Sequence, residues 1–335
     1  MTPESSIEVF STCPPSTGVP QELYLERFTE IARWSEEAGC RGILLFSDNS
    51  VLDPWMLAHL IFQRTKTLCP LIAVQPVYMH PYWVAKQIAS LAYLYGRRLY
   101  LNMVAGGFKN DLEALDDTTP HDKRYARLIE YTLVIMGLLS SRAPLSFDGK
   151  FHRVSKLKLA PSLPEALLPG VFVSGSSEAG ITAARVLGAT AIKYPKPPEE
   201  EEERPAGLVN PGIRVGIIAR RTDKEAWDVA QERFPEDRKG QLTRQLAEKV
   251  SDSVWHKQLS GLEAIDHTGP YWLTPFQNYK AMCPYLVGSY ETVGAELGRY
   301  FASGYRTVIL DIPPSLDDLR HSFTAISAAL EPVQS

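Results

Sequence analysis

The sequence predicts an α/β fold, a (β/α)8 TIM barrel formed by one domain with an insertion before the last strand, and three observations predict it. Eight short apolar runs alternate with eight segments of helical periodicity along nearly the whole chain, the pattern of parallel strands joined by helical crossovers. The runs are near-continuous Val, Ile and Leu rather than alternately apolar and polar, as strands buried on both faces require. A chain of 335 residues with 44% apolar content suffices for a barrel with insertions. The competing fold is a doubly wound open sheet. No G-x-G-x-x-G follows the first run, which removes the dinucleotide fingerprint without excluding that sheet.

The elements follow in order. Residues 7–10 form a strand closed by Ser11-Thr12-Cys13-Pro14-Pro15, and Leu23, Leu25, Phe28, Ile31 and Ala32 then mark a helix over 21–38 that stops at Gly39. The strand 42–46 (GILLF) ends at Ser47-Asp48-Asn49-Ser50 and leads to a helix over 54–64 with Pro54 in its first turn. Strands at 71–74 and 99–104 alternate with helices at 81–94 and 122–139. Strands at 171–173, 189–192 and 213–219 alternate with helices at 177–187 and 223–233. A helix at 292–301, a strand at 307–310 and a helix at 316–330 close the pattern. Two stretches depart from it. Residues 195–211 combine prolines with five consecutive glutamates and read as an exposed, solvated loop. Residues 235–290, polar first and then rich in aromatics (Tyr271, Trp272, Phe276, Tyr279, Tyr285), read as an insertion that serves as a lid.

Composition excludes several classes of function. A net charge of −4 with scattered cations provides no basic field for nucleic acid or an anionic membrane. No apolar run reaches the ~18 residues of a membrane span, and no leader is evident. Cys13, Cys40, Cys69 and Cys283 lie far apart without a C-x-x-C pair, so neither a disulfide framework nor a zinc site is indicated and a reducing cytoplasm is expected. HExxH and GxSxG are absent, which leaves metal or serine-triad hydrolysis without support.

A barrel places its site at the carboxyl ends of the strands, so the residues after each apolar run are the candidates. They are Cys13, Asp48, Asn49, Gln75, Asn102, residues 105–107 and 174–177, Tyr194, residues 214–221 and Asp311. Ser174-Gly175-Ser176-Ser177 lies between a strand and a helix. Free amides at a helix N-terminus with hydroxyls beside them suit a phosphate, and a serine that merely caps the helix is the equal alternative. His121 and Tyr125, one helical turn apart, either meet the same phosphate or pack as a cap and a core edge. Asn102, inside a buried strand, needs partners for its amide, which a flat heterocycle or neighbouring backbone would supply.

Together these segments resemble the bacterial luciferase-like flavin monooxygenases, in particular the alkanesulfonate monooxygenase branch. The matching pieces are GILLF followed by Asp53-Pro54-Trp55, the strand Leu101-Asn102-Met103-Val104-Ala105-Gly106, His121 with Arg124-Tyr125, the turn Ser146-Phe147-Asp148-Gly149-Lys150, Phe172-Val173-Ser174-Gly175-Ser176-Ser177, and Gly288 opening the penultimate helix. The resemblance implies an enzyme that receives reduced FMN from a separate NAD(P)H:flavin reductase and reacts it with O2. The resulting C4a peroxide would oxygenate a small organic substrate of specialised metabolism, free or bound to a carrier protein. It further implies a cytoplasmic homodimer. Asn102 would bond the isoalloxazine, Gln75 and Ala105 would line it, and Tyr125, Ser174, Ser176 and Ser177 would hold the phosphate with His121 beside them. Arg214, with Asn102 the catalytic candidate, would stabilise the peroxide or an anionic substrate group. Gly216, Val51, Cys13 and Pro313 stand where the sulfonate enzymes carry a histidine, a cysteine, a histidine and a tyrosine, so a different substrate is implied. Relatives that use F420 for hydride transfer, and non-catalytic flavin-binding relatives, are the alternatives.

Overall fold

The computed structural model describes residues 7–201, 207–250, 254–262 and 269–331. In chain order the elements are β1 (Glu8–Thr12), α1 (Gln21–Ala38), β2 (Gly42–Leu45), α2 (Pro54–Arg64), β3 (Cys69–Val74), α3 (Pro81–Tyr95), β4 (Tyr100–Val104), α4 (Lys109–Glu113) and α5 (His121–Ser140). The hairpin β5 (Leu145–Asp148) and β6 (Arg153–Leu157) follows, then β7 (Gly170–Ser174), α6 (Glu178–Leu187), β8 (Thr190–Lys193), β9 (Gly212–Arg220) and α7 (Asp223–Arg233). The chain ends with α8 (Arg238–Val250), α9 (Val254–Gly261), β10 (Tyr271–Trp272), α10 (Thr274–Gln277), β11 (Tyr285–Ser289), α11 (Tyr290–Ala302), β12 (Thr307–Leu310) and α12 (Leu316–Ala328).

Eight strands, β1, β2, β3, β4, β7, β8, β9 and β12, pair in parallel in that order, and the ring closes where β12 meets β1. The structure is therefore the closed barrel that the alternating pattern predicts. Its lower interior is filled by Phe10, Leu44, Cys69, Leu71, Tyr100, Phe172, Ile192 and Ile309. Phe10, Tyr100 and Phe172 meet edge to face at 5.2–5.7 Å, the geometry that ring quadrupoles favour. The helices start where local chemistry supplies caps. Asp53 accepts from the amides of Trp55 and Met56 ahead of α2, and Ser177, Ser289 and Ser315 cap α6, α11 and α12.

Two features were not legible in the pattern. The hairpin β5–β6 follows α5, and β11 lies in parallel along Gly216–Arg220 of β9, beyond the residues that close the ring. β11 falls within residues 235–290, the predicted insertion. The loop after β8 also differs from a solvated acidic run. Glu199 and Glu200 are exposed, whereas the buried Glu201 carboxylate pairs with Lys193 and accepts from the Tyr305 hydroxyl. A like-charge run masks this because, of its three described members, one turns inward; residues 202–206 lie outside the described residues. No helix among the described residues is long and apolar enough to cross a membrane.

Candidate active site

The carboxyl ends of the barrel strands surround a cavity of about 550 Å³. Cys13 and Asn49 do not line it, but Gln75, Asn102, Ala105, His121, Tyr125, Ser174, Ser176, Ser177 and Arg214 all do, so every residue expected to have a cofactor or catalytic role reaches one chamber. Arg220 does not. It turns outward from the end of β9 and, with Arg233, pairs with Asp318. Cys13 is fully buried, and burial pushes its thiol up to about 12, so it holds its proton and is no nucleophile.

One corner of the cavity, at the N-terminus of α6, gathers groups that suit an anion. β7 ends at Ser174, and Gly175 takes φ +148°, a conformation that favours glycine. A Cβ there would also collide with the Tyr125 hydroxyl. The two serines that follow separate into different roles. Ser177 Oγ accepts from the Gly180 amide and caps α6. Ser176 Oγ is buried and bonds to nothing among the described residues, a condition that costs free energy unless a ligand satisfies it. Tyr125 donates weakly to the Ser174 carbonyl at 3.4 Å, and the His121 ring sits edge-on at 5.2 Å with Nδ1 bonded to Asp122.

Beside this corner runs an amide-lined wall. Ser174 Oγ donates to Asn102 Oδ1 at 2.7 Å, which fixes the side-chain amide and leaves its NH2 as a donor. Gln75 Nε2 lies 3.4 Å from both the Ser47 carbonyl and the Tyr78 hydroxyl. At the opposite side the Arg214 guanidinium is buried from bulk water. Its Nη1 donates to Tyr194 at 3.3 Å, its Cζ stands 5.9 Å over that ring, and its Nε is unpartnered. Burial opposes the charge, but Tyr194, Cys283 and Asp311 outweigh it and hold the pKa above the ordinary arginine value. Asp311 in turn accepts from the Tyr285 hydroxyl at 2.7 Å. The result is a permanent buried cation with hydrogen-bonding capacity to spare.

The inserted segment completes the chamber with Val254, Trp255, Tyr279, Lys280, Ala281 and Met282. Of these, the sequence singles out Tyr279. Their only signal was the aromatic content of the stretch.

A closed parallel barrel with this cavity at its carboxyl end defines a barrel enzyme whose site joins an anion corner, an amide wall and a buried guanidinium. The chain belongs to the luciferase-like monooxygenase family, whose description matches residues 7–307. It is 36% identical over 307 residues, 89% of each chain, to the 4-(gamma-L-glutamylamino)butanoyl-[BtrI acyl-carrier protein] monooxygenase BtrO of Niallia circulans. Among solved structures, the EDTA monooxygenase EmoA of Chelativorans sp. BNC1 aligns with a TM-score of 0.72 at 18% identity, covering 97% of this chain and 93% of that one. The riboflavin lyase RcaE, solved with modified FMN and riboflavin, aligns with a TM-score of 0.73 at 15% identity, covering 97% and 92%. Both structural likenesses speak for the fold.

Proposed function

We propose that this protein is the oxygenase half of a two-component monooxygenase, taking reduced FMN from a separate NAD(P)H:flavin reductase and oxygenating a carrier-bound acyl substrate with O2. The observation that carries the cofactor assignment is the orphaned Ser176 hydroxyl beside the Gly175 turn, where a phosphate would find the partner the protein lacks. The substrate class rests on the relation to BtrO, whose name specifies an acyl group on a carrier protein.

The residues fit FMN. Ser176 and Tyr125 would hold its phosphate with His121 beside them, Ser174 would keep Asn102 turned so that its NH2 meets a ring carbonyl, and Gln75 and Ala105 would line the ring. Reduced FMN, when bound, supplies the two electrons that send one oxygen atom to substrate and the other to water. The chain's part is to orient, to exclude water, and to present Arg214 to developing negative charge in a site where a fixed cation acts more strongly than in solvent. No proton transfer is asked of the buried thiols.

Anaerobic titration with photoreduced FMN, followed by rapid mixing with oxygenated buffer, tests this reading. Saturable binding and a return of oxidised-flavin absorbance slower than that of free reduced FMN are expected. No binding of reduced FMN overturns it, and reduction of F420 instead would assign hydride transfer.

A further inference from the structure

Tyr194 contacts two groups from different parts of the fold. The Arg214 guanidinium lies 5.9 Å from the centre of its ring and donates to its hydroxyl. The indole of Trp255, from α9, stacks on the ring with centroids 3.9 Å apart and planes 13° apart. All three side chains line the cavity. Trp255 is in turn backed by Phe276 at 6.2 Å, so the inserted segment brings its own small core to this contact. Tyr194 thus stands where the insertion meets the barrel, and its hydroxyl is the one acceptor of Arg214 among the described residues.

We propose that Trp255 is a positioning residue. By stacking on Tyr194 it fixes the phenol that anchors Arg214, so the guanidinium takes its working place only when the inserted segment is seated on the barrel. The assignment rests on the oxygenase reading above, because the work assigned to Arg214 comes from there. The physical basis is additive constraint. A stack fixes the plane of the phenol, the phenol oxygen fixes one guanidinium nitrogen, and Nε has no hydrogen-bond partner among the described residues. The lid and the buried cation are then one device rather than two.

Two measurements test it. In the first, Trp255→Ala, Trp255→Phe and Tyr194→Phe are loaded with reduced FMN and mixed with oxygen. Trp255→Ala is expected to bind reduced FMN within about twofold of wild type yet to re-oxidise it about tenfold faster, with Trp255→Phe restoring the slow rate. Tyr194→Phe keeps the stack and removes only the acceptor, so it should re-oxidise flavin as fast as Trp255→Ala while trypsin cleaves the inserted segment no faster than in wild type. A wild-type rate in Trp255→Ala, or in Tyr194→Phe, overturns the proposal. The second measurement needs no flavin. Equilibrium unfolding of Trp255→Ala, Arg214→Ala and the double variant should be non-additive by about twofold or more in the unfolding constant, since the link runs through Tyr194. Additivity would refute the coupling even if the wild-type protein bound no FMN, and failure of flavin binding with coupling intact would strike only the function proposed above.

Discussion

Ser176 and Ser177 are adjacent and chemically identical, yet one caps the helix and the other bonds to nothing among the described residues. Their substitutions should therefore fail differently. Ser176→Ala removes a hydrogen bond to a charged phosphate and is expected to weaken reduced FMN binding by about 1.5–3 kcal/mol, roughly ten- to a hundredfold, without lowering stability. Ser177→Ala removes a cap and is expected to lower stability by about 1 kcal/mol while changing affinity far less. Anaerobic titration and denaturant unfolding of both variants check this, and equal losses of affinity would contradict the division. The sequence located this pair because barrel sites follow the strands, but it left cap and phosphate ligand undivided. Spacing cannot choose between neighbours of one type; the hydrogen bond that Ser177 Oγ accepts from the Gly180 amide, and that Ser176 Oγ lacks, does. Trp255 was illegible for another reason: its partner Tyr194 comes from a different crossover, and nothing local marks the pair.

At the scale of elements, the helix that carries His121 and Tyr125 is held at its start by an ion pair and by bonds to carbonyls rather than by a side-chain cap. Arg124 donates to the Thr119 and Gly106 carbonyls, and Arg127 pairs at 2.5 Å with Asp117, which also accepts from the Thr119 amide. Burial raises the pKa of the Asp117 carboxyl, but hydrogen bonds from Arg127 and Thr119 outweigh it and bring the group down to about 2 from an ordinary 3.8. Because the folded value is the lower one, the stabilisation is complete above the unfolded pKa and is lost as pH falls through the folded one. Asp117→Asn should thus cost about 2 kcal/mol at neutral pH. The gap from wild type should stay constant down to about pH 4 and close only toward pH 2. Unfolding of both proteins across that range measures it, and a gap already narrowing at about pH 6 would mean the carboxylate is not held this way. Elements of this kind were readable because burial on both strand faces and 3.6-residue periodicity recur eight times. The boundaries of α1, α2 and α7 match the pattern to the residue. β11 was not readable, since five residues, YLVGS, inside an aromatic stretch carry no period of their own.

For the whole molecule, the barrel divides its two tasks along its axis. Below, side chains from seven strands pack into a plug, and β9 contributes Gly212, where a Cβ would press on Ile192 and Thr307. Tyr100 extends the plug to the lower rim, where Arg41 Nε donates to its hydroxyl at 2.8 Å. Above, Leu44, Ile192 and Ile309 are at once the top of the plug and the floor of the cavity. Stability and chemistry thus meet at one layer of aliphatic side chains, and a change beneath that layer should reach stability without reaching the site. Phe10 is the test, being fully buried at 5.2 Å from both Tyr100 and Phe172 and absent from the cavity wall. Phe10→Ala should lose about 3–5 kcal/mol through lost transfer energy and a cavity that rigid strands cannot close. The protein that remains folded should bind reduced FMN within about twofold of wild type, as expected if the aliphatic layer between plug and cavity keeps its place. Titration well below the lowered melting temperature decides the matter. If affinity fell in step with stability, the plug would be shaping the chamber above it, and the separation of a structural lower half from a chemical upper half would not describe this barrel.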